Sequence, residues 1–421
     1  MNTQTPKACD VAIVGGGLVG ASLAIALSGR GLKVCLIERI SMQASSQPSY
    51  DDRSLALALS SCNVFQNLGI WSRFDEAEVT AIQEVHVTAE GQFGRTRITA
   101  DELGVSSLGH VVAGRVIGAA VHGLLPTLPD LELLCPAEAV AVAFQDGHNR
   151  LTIQIADSNE TIQLDAKLLV AADGAQSPIR QMLALSAKEH DYGQKAIIAN
   201  VTPEQAHRGR AFERFTSTGP MAMLPHVGQR CGLVWSLTHD QADAAMAWSD
   251  EEFLGAVQRS FGHRLGQLQR LGHRVAYPLK LVHARDQIAH RAVIMGNAAH
   301  TIHPVSAQGF NLGLRDAVTL AELINEAQDQ GQDIGSARLL TRYQSLRQKD
   351  QDGVIDYTDG LVRLFAQPLP LIQWGRSLAM TAIDVVPALK QKLAQRTMGF
   401  SGHVPSLAKG PGFTEALTVD G

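Results

Sequence analysis

Three glycine-bearing segments hold the residues whose types and spacing could do chemistry. The first contains Gly15, Gly17 and Gly20, a G-x-G-x-x-G pattern between an apolar run (Asp10–Val14) and a small-residue run (Ala21–Ser28). Such glycines provide a tight turn, room for a pyrophosphate to approach the backbone, and close packing of helix on strand. Phosphate charge would lie at the positive end of the helix. A second apolar run, Lys33–Ile37, ends in Glu38, 18 residues after Gly20, where a carboxylate can accept hydrogen bonds from ribose hydroxyls. In the second segment, Lys167–Arg180, an apolar strand delivers Asp173 and Gly174 into a turn, and Ser177-Pro178 opens a helix. In the third, residues 291–316, Ala292–Met295 breaks at Gly296-Asn297; His300, His303 and Pro304 follow, and Gly309-Phe310-Asn311 opens a run of helical spacing. A strand that turns at glycine and re-enters a helix aims free backbone N–H groups at whatever lies above the turn. Together the three segments predict one dinucleotide pocket.

Two simpler readings compete with this one. Residues 11–29 are uncharged and just reach the length of a membrane span. However, Gly15-Gly16-Gly17 would unwind a lipid-facing helix, and no basic n-region precedes it. His300 and His303, at i and i+3, invite a metal, but no third ligand stands at diagnostic spacing, so no metal is expected.

The elements that must position these residues set the fold class. A chain of 421 residues, 45% hydrophobic and 18% charged, suits an ordered protein of two interleaved domains with an extension. Net charge −5 without a long basic run argues against a nucleic-acid partner. Five scattered cysteines with no C-x-x-C point to a reducing cytoplasm rather than to disulfides or zinc. The pattern predicts an α/β fold: a Rossmann-like dinucleotide domain interleaved with an antiparallel-sheet domain and a C-terminal helical region. The first domain takes 1–78, 110–185 and 281–350, the sheet domain 79–109 and 186–280, and the helical region 351–421. A helix is expected over Arg53–Leu68, and strands at Glu84–Thr88, Arg95–Thr99, Ala196–Val201 and Arg230–Leu237. Beyond 350, Val354, Tyr357, Leu361, Leu364 and Phe365 recur at helical spacing, Pro368 and Pro370 punctuate, and Leu378–Arg396 forms a second amphipathic stretch. These helices either pack on the core or present a membrane-facing or partner-facing surface, to which Trp374, Arg376, Lys390, Lys392 and Arg396 are suited.

The chain resembles the FAD-dependent aromatic hydroxylases of the para-hydroxybenzoate hydroxylase type. Asp173, Gly174, Ser177 and Arg180 match that family's D-G-x-x-S-x-x-R segment, and Gly296, His300 and Pro304 match G-D-x-x-H-x-x-x-P. Asn297 stands where the family has Asp, which loses a charge at a contact to the FAD ribityl chain. Asp52–Leu57, Arg210–Phe215, Gly219–Pro225 and Tyr277–Leu279 are similar to the ubiquinone-biosynthesis hydroxylases. The resemblance implies an FAD monooxygenase that hydroxylates a polyprenylated phenol through a flavin hydroperoxide, using O2 and NAD(P)H. It further implies that Arg53 lies beside the flavin, that Arg115 touches the FAD ribose or pyrophosphate, and that Arg180 bears on the reductant and on the fold. Pro304 and Gly309 would lie along the isoalloxazine, where the N–H groups of Gly309, Phe310 and Asn311 meet negative charge on the reduced ring. Such an enzyme would be cytoplasmic, or peripheral on the inner face of the membrane beside other ubiquinone-biosynthesis proteins. A prenyl-chain reductase on the same scaffold and a non-catalytic flavoprotein subunit are the alternatives.

Overall fold

A computed structural model of the chain describes residues 6–42, 53–156, 158, 160–367 and 369–410; Asp52 and Pro368 lie outside them. Its centre is an eight-stranded mixed sheet. Five strands run parallel in the order Ala292–Ile294, Thr161–Ala171, Lys7–Val14, Val34–Ile37 and Leu131–Leu134. In Lys7–Val14, Val11 and Ile13 enter one hydrophobic cluster while Ala12 and Val14 enter another, because successive side chains point to opposite faces. Both faces are therefore covered, which explains why the strand reads as an unbroken apolar run. Helices Leu18–Leu27, Gly114–Leu124 and Gln308–Asp329 pack on the first face.

A second, nine-stranded sheet holds Glu84–Ala89, Arg95–Thr99, Lys188–Pro203, Arg210–Phe215, Pro220–Pro225, Cys231–Thr238, Leu268–Leu271, Val275–His283 and His300–Thr301. It is antiparallel except where Arg210–Phe215 runs parallel to Glu84–Ala89. Its two faces differ in side-chain size. Ile197, Met221, Met223, Leu233, Trp235 and Leu237 pack against helices His239–Ala247 and Asp250–Phe261. Their chain neighbours Ala196, Ile198, Ala222 and Val234 line a cavity on the other side. A one-residue slip in register would exchange these sets, so the apolar pattern fixes the alignment.

Four expectations need correction. Arg53–Leu68 is not one helix: Ser54–Ala58 is a strand paired with Gly109–Ala113, and the helix spans Leu59–Asn67. The alternating run from 79 is divided, because Val79–Ile82 joins Gly109–Ala113 in a small three-stranded sheet while the next two strands enter the large one. The boundary at 350 falls inside the 30-residue helix Ala337–Ala366, which runs from one region into the other. The amphipathic stretch near the C-terminus is likewise two helices, Pro370–Val385 and Pro387–Thr397, broken at a proline that cannot continue the first. No helix among the described residues is long and apolar enough to cross a membrane, and the helix within the uncharged segment 11–29 has only ten residues.

Candidate active site

The three glycine turns meet at the carboxyl ends of adjacent parallel strands, where ligands of open α/β sheets bind. Ala172 N donates to Val14 O at 2.7 Å, joining the second turn to the first. Met295 N donates to Ala171 O at 2.9 Å, joining the third to the second. A Cβ on Gly15 (φ +105°) would run into the Ala172 carbonyl, and one on Gly20 into the Gly15 carbonyl. These two glycines are therefore required by packing. Gly17 differs, since a Cβ there meets nothing within 4 Å. It opens helix Leu18–Leu27, whose N-terminus has no side-chain cap, so the first N–H groups point outward bare. Glu38 accepts from Gly16 N (2.6 Å) and Ile40 N (2.8 Å), which fixes its carboxylate at the edge of the first turn.

In the second turn, Ser177 caps the short helix Pro178–Met182 by accepting from Arg180 N. Its hydroxyl donates to Asp173 at 2.5 Å, and Ile179 N adds a bond at 3.1 Å. Burial raises the Asp173 carboxyl above its ordinary range, against the pull of those hydrogen bonds. The Arg180 side chain donates to the carbonyls of Ala175 (3.0 Å) and Ala298 (2.7 Å), and so clamps the second turn to the third.

The third turn rests on a buried charge network. Asp316, fully buried, accepts from His300 Nε2 (2.5 Å), Arg347 Nε (2.7 Å), Gln351 Nε2 (2.9 Å) and Gly296 N (3.3 Å). Burial by itself would raise this carboxyl, but His300 and Arg347 outweigh it and hold it far below the usual range. Asp350 joins Arg315 (3.0 Å) and Arg347 (2.9 Å) to the same group. His300 is thus an internal hydrogen-bond donor. Burial pushes His303, which stands edge-on to Tyr192 at 5.1 Å, down to about 4.

Gly15, Gly17, Glu38, Arg53, Asp173, Gly174, Gly296, Asn297, Pro304, Gly309, Phe310 and Asn311 all line one cavity of about 1260 Å³. Gly20, Arg115 and Arg180 do not. Gly20 is a packing residue, Arg180 clamps the turns, and Arg115 reaches Glu78 at 2.9 Å on a half-exposed helix face. The Asn311 side chain accepts from Ala58 N (2.8 Å) and donates to Ala56 O (2.9 Å) and Ala307 O (2.8 Å), so its role is to tie helix to strand. That helix begins at Gln308, one residue earlier than its spacing implied, after Ala307 in a left-handed conformation (φ +50°). A non-glycine residue held there costs about 1–3 kcal/mol, a strain concentrated at functional sites. The sequence reading missed Tyr277, whose ring lies under the Arg53 guanidinium at 5.0 Å. It also missed the Asp316–Arg347 network, although charges at 315–316 inside an otherwise apolar helix were a visible signal.

A cavity this size exceeds the roughly 300–1,000 Å³ of a typical small-molecule site and can take an extended dinucleotide together with a second molecule. Bare N–H groups at Gly17, room beside Gly17 and Gly174, and a fixed acid at Glu38 fit the phosphates and ribose of FAD. Fold and cavity together define a flavoprotein oxidoreductase. The FAD binding domain family matches residues 8–358. The ubiquinone hydroxylase UbiL of Rhodospirillum rubrum is 35% identical over 394 residues, covering 93% of this chain and 90% of the relative. The 3-demethoxyubiquinol 3-hydroxylase of Escherichia coli is 29% identical over 399 residues, covering 94% and 100%. The crystal structure of p-nitrophenol 4-monooxygenase PnpA from Pseudomonas putida DLL-E4 superposes with TM-score 0.76 at 18% identity, covering 93% and 99%. The chain belongs to the FAD binding domain family, among the FAD-dependent hydroxylases that include the ubiquinone hydroxylases, and is an FAD-dependent monooxygenase.

Proposed function

We propose that the chain hydroxylates the aromatic ring of a polyprenylated phenol in ubiquinone biosynthesis, with NAD(P)H as reductant and O2 as the oxygen source. The observation that carries this reading is the chamber beyond the glycine turns. There the large sheet presents Ala196, Ile198, Ala211, Ala222 and Val234, and the helices opposite present Leu361, Phe365, Met380 and Ile383. The sheet side of this wall is built largely of small side chains and the helix side of larger apolar ones. Glu213 and Arg376 are charged members of the lining, and the predominance of apolar surface suits a long hydrocarbon tail.

FAD, when bound, supplies the oxygen activation. The chain's residues place the ring, exclude water and hold charge. The turns of Gly15, Gly174 and Gly296 would hold FAD. N–H groups at the start of helix Gln308–Asp329, which lines the cavity, would stabilise negative charge on the bound group. Arg53, stacked on Tyr277, offers a cation at the same wall. The apolar chamber keeps water from the reacting atoms.

The test supplies ¹⁸O2, FAD, NADH or NADPH and a prenylated phenol to the purified protein and weighs the product. One labelled oxygen in the ring is expected. Turnover without label would replace this reading with prenyl-chain reduction on the same scaffold. Loss of NAD(P)H unaffected by the phenol would leave no hydroxylase.

A further inference from the structure

Helix Pro370–Val385 has two faces. Inward, it packs on strand Arg95–Thr99: Thr96 Oγ1 donates to Met380 O at 2.9 Å, Arg97 N donates to Asp384 at 2.8 Å, and Gly94 lies so close to Ser377 that a Cβ would not fit. Outward, Leu371 (86% exposed), Trp374 (63%) and Leu378 (60%) form a stripe at i, i+3 and i+7, continued by Val385 and Leu389. Phe93, itself exposed, meets the Trp374 ring edge-on at 5.5 Å and widens the patch. Large apolar side chains clustered this way mark a surface that something covers.

Charge and continuity identify what covers it. Residues 360–410 contain six lysines and arginines against the single acid Asp384, in a chain whose net charge is −5. Lys392 is exposed on the adjoining helix and Arg363 on the helix that Arg376 ties to this one, while Lys390 is held by Glu102 and Asp384. A second copy of the chain docked on this face would bring like charges together, whereas an anionic surface complements them. The helix is also continuous with the substrate chamber, because Arg376, Ala379, Met380 and Ile383 line the cavity one face away from the stripe. Leu364, on the neighbouring long helix, both lines the cavity and is exposed.

We infer that the outer face of helix Pro370–Val385, with Phe93 and Leu389, seats the protein on the headgroup region of an anionic lipid bilayer, beside the mouth of the chamber. The apolar stripe enters the interface, Trp374 lies at headgroup level, and the basic residues meet lipid phosphates. The purpose of this surface rests on the proposed tailed substrate, which would pass from bilayer to chamber without crossing water.

The test floats the FAD-loaded full chain on vesicles of phosphatidylglycerol and phosphatidylcholine, and on phosphatidylcholine alone. Binding to the anionic vesicles, weakening as salt rises, is expected. In the variant Leu371→Glu/Trp374→Glu/Leu378→Glu, the bound fraction should fall about tenfold or more. Flavin absorbance, circular dichroism and turnover of a short-tailed phenol in vesicle-free solution should be unchanged in that variant. No binding of the native chain, or equal binding of the variant, would overturn the inference. So would a native dimer, seen by sedimentation, that the variant abolishes while vesicle binding persists. Vesicle binding without ¹⁸O incorporation would sink the hydroxylase reading and leave the lipid surface standing; the reverse pattern would do the opposite.

Discussion

Asp316→Asn is the sharpest probe of how this site is held. The carboxylate is fully buried and accepts four hydrogen bonds, among them one from the buried Arg347 and one from Gly296 N in the third turn. The amide keeps the shape but removes the negative charge that faces His300 and Arg347. Breaking a buried ion pair by altering one partner costs about 3–5 kcal/mol, because the remaining charge is left uncompensated. Asp350, 2.9 Å from Arg347, retains part of the compensation, so the lower end, roughly 3 kcal/mol, is expected. Against a total stability of about 5–15 kcal/mol that is a large fraction. Urea unfolding of the apoprotein measures the loss. A titration with FAD measures the second consequence, weaker binding as the Gly296 turn loosens. The double variant Asp316→Asn/Arg347→Met should lose less than the sum of the two single changes, since the orphaned charge is gone. A single-variant loss under roughly 1 kcal/mol, or strict additivity, would refute the view that this network stabilises the turn.

Other outcomes follow from the same structure. Gly15→Ala forces a Cβ against Ala172 O at φ +105°, so it should lower thermal stability as well as flavin content. Gly17→Ala meets no protein atom and should fold normally but bind FAD more weakly, because its Cβ enters the room left for the pyrophosphate. Ala222→Phe on the chamber wall should raise KM for a long-tailed phenol at least tenfold and leave a short-tailed one nearly untouched, read from steady-state kinetics. The His403 hydrogen bond, aided by Ser406, lowers Glu322 from 4.5 to about 2. A depressed carboxyl stabilises the fold above its unfolded value, and that contribution is lost as pH falls from about 4.5 to about 2. Glu322→Gln should remove this part of the acid dependence of thermal unfolding. Burial lowers His303 from 6.5 to about 4, so protonation favours the unfolded chain, and stability should decline as pH drops through that window. His303→Gln should flatten the decline in part, because His110, also lowered to about 4, adds its own share.

The dinucleotide half was legible because its constraints are local. A buried parallel strand needs continuous apolar residues, and Gly15 and Gly20 sit where any side chain would strike backbone. Ser177-Pro178 read as a helix start for the reason the structure shows, a hydroxyl cap followed by proline at the first turn. What escaped depends on distant partners. Ser54–Ala58 is a strand only because Gly109–Ala113 lies beside it, and its short apolar run suits either state. Arg180 and Arg115 looked like cofactor ligands by motif, yet the turn carbonyls and Glu78 that hold their side chains become neighbours only once the sheets assemble. Arg347 and Asp350 stand three apart on a polar helix, where the usual inference is a solvated face, and only the crossing of Gln308–Asp329 buries them.

Helix Ala337–Ala366 is a continuous rod of about 45 Å. Its early turns contribute Arg347, which grips the carboxylate behind Gly296, and its final turns contribute Tyr357, Leu361, Leu364 and Phe365 to the chamber. One stiff lever therefore touches both compartments. A long ligand pressed on its far turns would therefore bear on the same rod that holds Asp316 behind the Gly296 turn.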